Sequence, residues 1–126
     1  MTESRLEELA IQEPKVLKDL IQDGLLPPSS LTFALEYLGV HNPEMWVAEF
    51  IFGYLTHENP IVREGALYGL EAVLAQLGLL NAFVHCNDVN RYINKIIWMS
   101  INDPSEAIKT VAKNTLEEYN TPECLP

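Results

Sequence analysis

Apolar residues along this chain recur every three or four positions rather than every second one, and Gly, Pro and Asx residues cut the pattern into separate stretches. That spacing predicts an all-α fold. Helices are expected over 3–11, 14–23, 29–39, 43–56, 60–77, 88–101 and 104–119. Breaks fall at Gly24 to Pro28, Gly39 to Pro43, Thr56 to Pro60, Gly78 to Asn87 and Asn102 to Pro104. Connections this short make successive helices antiparallel neighbours, that is, hairpins. Three helices carry the same start signal, Asn42-Pro43, Asn59-Pro60 and Asp103-Pro104. In each, an Asx side chain is placed to accept a helix N-terminal amide, and proline takes the first helical position, where its missing N–H costs nothing. Glu106 follows Asp103 by three residues, close to a capping box, and Glu44 is set in a first turn where the helix dipole favours a carboxylate.

The chain also matches itself. At an offset of 44, His41, Phe52, Tyr54, Leu55 and Pro60 align with His85, Ile96, Trp98, Met99 and Pro104. Beyond the prolines the offset is 46 and pairs Val62, Arg63, Ala66 and Leu70 with Ile108, Lys109, Ala112 and Leu116, so the second loop carries a two-residue insertion. Each unit is a helix pair whose second helix sets Val or Ile, Ala and Leu on one stripe, with a small residue where helices cross closely. The run from Asn59 to Leu70 resembles HEAT repeats: a proline, one residue, Val-Arg, then Ala and a small-Leu pair. Asp103 to Leu116 is similar, with Ile108-Lys109 for Val-Arg and Thr115-Leu116 for the small-Leu pair. The helix near 29–39 offers Ala34, Leu38 and Gly39 but no Val-Arg element.

This resemblance implies antiparallel helical hairpins stacked as a short right-handed α-α superhelix of HEAT/ARM type. The expected organisation is one domain over 1–126, with irregular capping helices at 1–40, the clearest repeat at 43–77, a second at 88–119 and a tail at 120–126. It gives Pro60, Val62, Arg63, Ala66, Pro104, Ile108, Lys109 and Ala112 structural roles within and between repeats. In HEAT proteins the Arg ties adjacent units by hydrogen bonds to a neighbouring turn, which is the role implied for Arg63 and Lys109.

Composition narrows the function. The 126 residues are 48% hydrophobic, enough for a buried core without disulfides or metal. Eight Lys plus Arg against 18 Asp plus Glu give a net charge of −10. Such a chain is not built to neutralise nucleic-acid phosphates or to dock on anionic lipid, and its natural partner is a basic or neutral protein surface. No apolar run approaches the roughly 18 residues of a membrane span. Met1 through Ala10 has no basic region leading into an apolar one, and Cys86 and Cys124 read as free thiols, which together predict a cytoplasmic location.

Catalytic and cofactor chemistry finds little support. His41, His57, His85, Cys86 and Cys124 lack the close spacings that hold two metal ligands on one element. His41 and His85 occupy equivalent turns, where capping a helix C-terminus is the plain role. The HEAT-like deoxyhypusine hydroxylases use His-Glu dyads, but the one dyad here, His57-Glu58, lies in a turn, and the helix position reads Arg63-Glu64. The expectation is therefore no catalytic residue, no cofactor and no metal. Three surfaces remain. Helix 43–56 is apolar almost all round, which reads as a central helix packed on both sides, or through Trp46 and Tyr54 as a self-association face. No basic residue falls between Lys18 and Arg63, which marks Glu36, Glu44, Glu49 and Glu58 as an acidic docking surface. Arg91, Asn94, Lys95 and Trp98 share one face of helix 88–101, the composition of an interaction hot spot. The expected function is a non-catalytic HEAT-like adaptor whose acidic surface docks a basic protein segment. The alternatives are a small acidic immunity- or antitoxin-like inhibitor, and a HEAT-like enzyme or lyase subunit of the phycobilin-lyase kind.

Overall fold

The computed structural model describes residues 1–78 and 86–118, and every regular element among them is helical. The helices are α1 (Glu3–Gln12), α2 (Pro14–Gln22), α3 (Pro28–His41), α4 (Met45–Phe52), α5 (Pro60–Gln76), α6 (Cys86–Asn102) and α7 (Glu106–Glu118), with a 3-10 turn (Gly53–Thr56) after α4. The all-α class follows directly. His85, Cys124 and the tail 120–126 lie outside the described residues, as does the side chain of Cys86.

The chain forms two compact units, Met1–Val73 and Leu74–Pro126. In the first, helices two apart in sequence run in the same sense, as a series of hairpins requires. Tyr37 meets Glu3 and His41 meets Glu7, so a step of four residues on α3 matches a step of four on α1. Thr32 opposes Gly65 and Leu35 opposes Gly69, giving α3 and α5 the same relation. On the even-numbered helices, Lys15 and Lys18 of α2 lie over Trp46 and Phe50 of α4. Leu6, Leu9, Leu17, Ile21, Leu35, Leu38, Val47, Ile51, Leu55, Val62, Leu67 and Leu70 form the core of this unit. In the second unit α6 packs on α7 around Tyr92, Ile96, Met99, Ile108 and Ala112.

Glycines set the approach of α3 to α5. A Cβ on Gly39 would collide with the Gly69 carbonyl oxygen and stand 2.6 Å from its Cα, and one on Gly65 would stand 2.7 Å from the Thr32 Cα. Only residues without a side chain allow two backbones this close. Ala34 and Leu38 of α3 are buried like Ala66 and Leu70 of α5, and Pro28 opens α3 as Pro60 opens α5.

The three start signals do not act alike. Asn59 behaves as its sequence predicts, its Oδ1 accepting the Ile61 amide at 2.9 Å with Pro60 first in α5. Asn42 does not cap α4. Glu44 is extended, α4 starts at Met45, and the buried Asn42 carboxamide donates instead to the Leu38 and Ala10 carbonyls, both at 2.9 Å. Those carbonyls lie in the last turns of α3 and α1, where intrahelical partners run out, so the buried amide goes where its loss would cost most. Asp103 also misses its expected place: it accepts the Ser105 amide at 2.9 Å, and α7 begins at Glu106, with Ser105 accepting from the Ile108 amide at 3.4 Å. The two inserted residues thus follow Pro104, and α7 starts 46 residues after α5. Val62 and Ile108, Ala66 and Ala112, and Leu55 and Met99 are buried in pairs, whereas Leu70 is buried and Leu116 only half-buried.

Candidate protein-binding surfaces

Of the four carboxylates expected to form one acidic surface, the structure sets Glu36 in different company. Glu36 is half-buried on α3, and burial first, then the charges of Glu3 and Glu64, push its carboxyl above the ordinary range. Tyr37 donates its hydroxyl to the Glu3 carboxylate, and that bond above all pushes the phenol up to about 12. Tyr68 is raised by burial and then by Glu64, Glu36 and Glu71. Phe33 stacks on Tyr37 with ring centres 6.2 Å apart. Glu3, Glu36, Glu64 and Glu71 therefore share one electrostatic field with Tyr37 and Tyr68 on α1, α3 and α5. Glu3, Glu64 and Glu71 fall outside the block of sequence lacking basic residues. Glu64, Tyr68 and Glu71, at i, i+4 and i+7, were the legible sign of this stripe.

Glu44, Glu49 and Glu58 are exposed just ahead of α4, on it and in the turn behind it. The interval without basic residues around them is a property of the sequence, not of space. Lys15 brings its ammonium to 4.8 Å from the Trp46 ring, and Lys18 lies 5.9 Å from Trp46 and 5.7 Å from Phe50. Trp46 is half-buried under these lysines, and Tyr54 is half-buried with its ring edge against Phe50. Val47, Ala48, Ile51 and Leu55 are fully buried, so the aromatic groups of α4 are packed and no bare apolar face runs along it.

The charge divides unevenly between the units. Residues 1–73 hold 4 Lys or Arg against 12 Asp or Glu, a net of −8, while 74–126 hold 4 against 6, a net of −2.

On α6 the structure does bring Arg91, Lys95 and Trp98 onto one stripe. Lys95 stands 4.1 Å over the exposed Trp98 ring, and Arg91 lies 4.9 Å from the ring of the buried Tyr92, donating to its hydroxyl at 3.1 Å. Asn94, Ile97 and Ile101 are exposed beside them. The long side chains cover aromatic faces and keep their charges in water.

Arg63 is buried, and its guanidinium donates to the His57 carbonyl at 2.9 Å and the Glu58 carbonyl at 3.1 Å. These bonds close the turn that opens its own helix. His57 Nδ1 accepts the Asn59 amide at 3.0 Å in the same turn, which employs the histidine of the His57-Glu58 dyad. Lys109 does not repeat the arrangement: it pairs with Glu106 one turn back at 3.2 Å. His41, expected as a helix cap, points its Nε2 at Glu7 of α1, 3.0 Å away. Among the described residues no three His, Cys, Asp or Glu side chains converge as a metal-ligand set, and no helix is long and apolar enough to cross a membrane. No family model, curated protein or solved structure matches this chain.

Proposed function

We propose that the chain is a cytoplasmic, non-catalytic protein-binding module, a short HEAT-like helical array whose acidic face on α1, α3 and α5 takes a basic segment of a partner protein. The observation that carries this reading is the shared field of Glu3, Glu36, Glu64 and Glu71 interleaved with Tyr37 and Tyr68. A Lys or Arg side chain entering it gains a charge-assisted hydrogen bond and the face of an aromatic ring together. It also relieves the repulsion from Glu3 and Glu64 that adds to burial in raising Glu36. With a net of −8 over 1–73, the unit steers a cationic partner toward this side from a distance. The presence of only two cysteines is in keeping with a reducing compartment.

The test is fluorescence anisotropy with a labelled Lys/Arg-rich helical peptide, titrated across ionic strength. Affinity is expected to fall steeply with salt, and Glu36→Gln with Glu64→Gln and Glu71→Gln to weaken it by about tenfold or more. Glu44→Lys with Glu49→Lys is expected to change it much less. Salt-independent binding, or a larger loss from the α4 pair, overturns the assignment of the face.

A further inference from the structure

Ile97, Trp98 and Ile101 stand 40, 48 and 64% exposed on α6, a contiguous apolar group on a helix whose other face is core. Arg91 and Lys95 rim it with positive charge against the single carboxylate of Asp88, three residues before Arg91, so the stripe is net positive. An occupant must therefore bring both apolar or aromatic surface and negative charge. Two α6 faces set against each other would oppose like charges. The chain itself offers the complementary surface: Glu64, Tyr68 and Glu71 repeat on α5 at i, i+4 and i+7, the interval at which Arg91, Lys95 and Trp98 repeat on α6. In either helix direction the central Lys95 meets the half-exposed Tyr68 with a carboxylate on each side, and Arg91 meets a carboxylate at one end of the stripe. Phe33 and Val40, 37 and 39% exposed on α3, add apolar surface beside it.

We propose that the α6 face of one copy docks head to tail on the α3–α5 acidic face of a second copy. Such a contact is heterologous: each copy keeps one used and one unused face, and association continues unless the rotation closes a ring. The inference rests on the reading that the acidic face takes cations, and extends it. Self-association and the basic partner compete for one surface, so a basic partner disassembles the chains as it binds.

Sedimentation velocity of the full chain over a concentration series tests this, with circular dichroism confirming helicity of each variant. The wild-type protein is expected to grow in mass with concentration. Trp98→Asp and, separately, Glu64→Lys with Glu71→Lys are each expected to be monomeric. An equimolar mixture of the two is expected to form a dimer and stop there, since each variant retains the face the other lacks. Lys95→Glu, a milder change at an exposed helical site, is expected to raise the apparent dissociation constant by about tenfold. A monomeric wild-type protein at all concentrations, a mixture that stays monomeric, or an acidic-face variant that still dimerises through α6 overturns the proposal. Anisotropy with the basic peptide on Trp98→Asp, set beside sedimentation of the wild-type protein, separates the two readings: peptide binding by the variant together with a wild-type protein that stays monomeric removes only this inference, and a variant that no longer binds the peptide removes the acidic face as a binding site.

Discussion

Glu36 is half-buried between the charges of Glu3 and Glu64, and its carboxyl is raised by burial first and by those charges next. A raised folded-state value means the folded protein holds the proton more tightly than the unfolded chain. The contribution of this group to stability is therefore fully present below the ordinary value of 4.5 and is lost as pH rises through the folded value. Glu36→Gln removes the repelling charge, so the variant is expected to be more stable than wild type at pH 7 by a few tenths of a kcal/mol, the scale of partly exposed like-charge pairs. Near pH 4 the gain is expected to vanish. Urea unfolding of both proteins at the two pH values checks it, and a gain that persists in acid removes the electrostatic account. Single residues were also where the sequence was least legible. Asn42-Pro43 and Asn59-Pro60 are the same dipeptide, yet Asn59 caps a helix and Asn42 bridges the ends of two others. The difference is made by the Ala10 carbonyl, brought beside Asn42 from 32 residues away, and no local rule contains that.

At the scale of elements, periodicity places all seven helices within about four residues at each end, because helix is decided by which side chains can share a buried stripe. What periodicity leaves open is which stripe meets which. Gly39 reads as one residue of a degenerate repeat, but the structure gives it and Gly69 a shared task, the backbone contact of α3 with α5. Gly53 is the contrast, with a backbone φ of −61° and open space where a Cβ would go. Gly39→Ala is expected to destabilise by about 3 kcal/mol, the upper end for overpacking, since two helix backbones must part to admit one methyl group. Gly53→Ala is expected to be neutral or to stabilise by about 0.4–1 kcal/mol through the unfolded chain. Denaturant midpoints of the two variants measure both. Similar costs at the two sites count against the close crossing. The same blindness to neighbours explains the acidic surface. Lys15 and Lys18 precede the interval without basic residues in sequence, but α2 and α4 are spatial neighbours, and the lysines cover Trp46.

For the whole molecule, the uneven division of charge has a consequence for stability that composition alone does not localise. A net charge far from zero opposes compaction by self-repulsion, which salt screens over about 10 Å at 0.1 M. The Arg5–Glu8 and Lys109–Glu106 pairs are partly exposed single-turn contacts of small value, so screening costs them little. Added salt is therefore expected to stabilise the fold, and to act mainly on residues 1–73, where the net of −8 lies. Each unit carries one tryptophan, Trp46 in the first and Trp98 in the second, so Trp98→Phe and Trp46→Phe give proteins whose fluorescence reports one unit each. On raising sodium chloride from about 0.02 to 0.2 M, the thermal transition seen through Trp46 is expected to rise by a few degrees and that seen through Trp98 by less. A transition that falls with salt makes attractive pairing, not repulsion, the dominant electrostatic contribution. An equal rise at both tryptophans shows that the charge acts on the chain as one body, and the acidic face then loses its claim to be a local concentration of field.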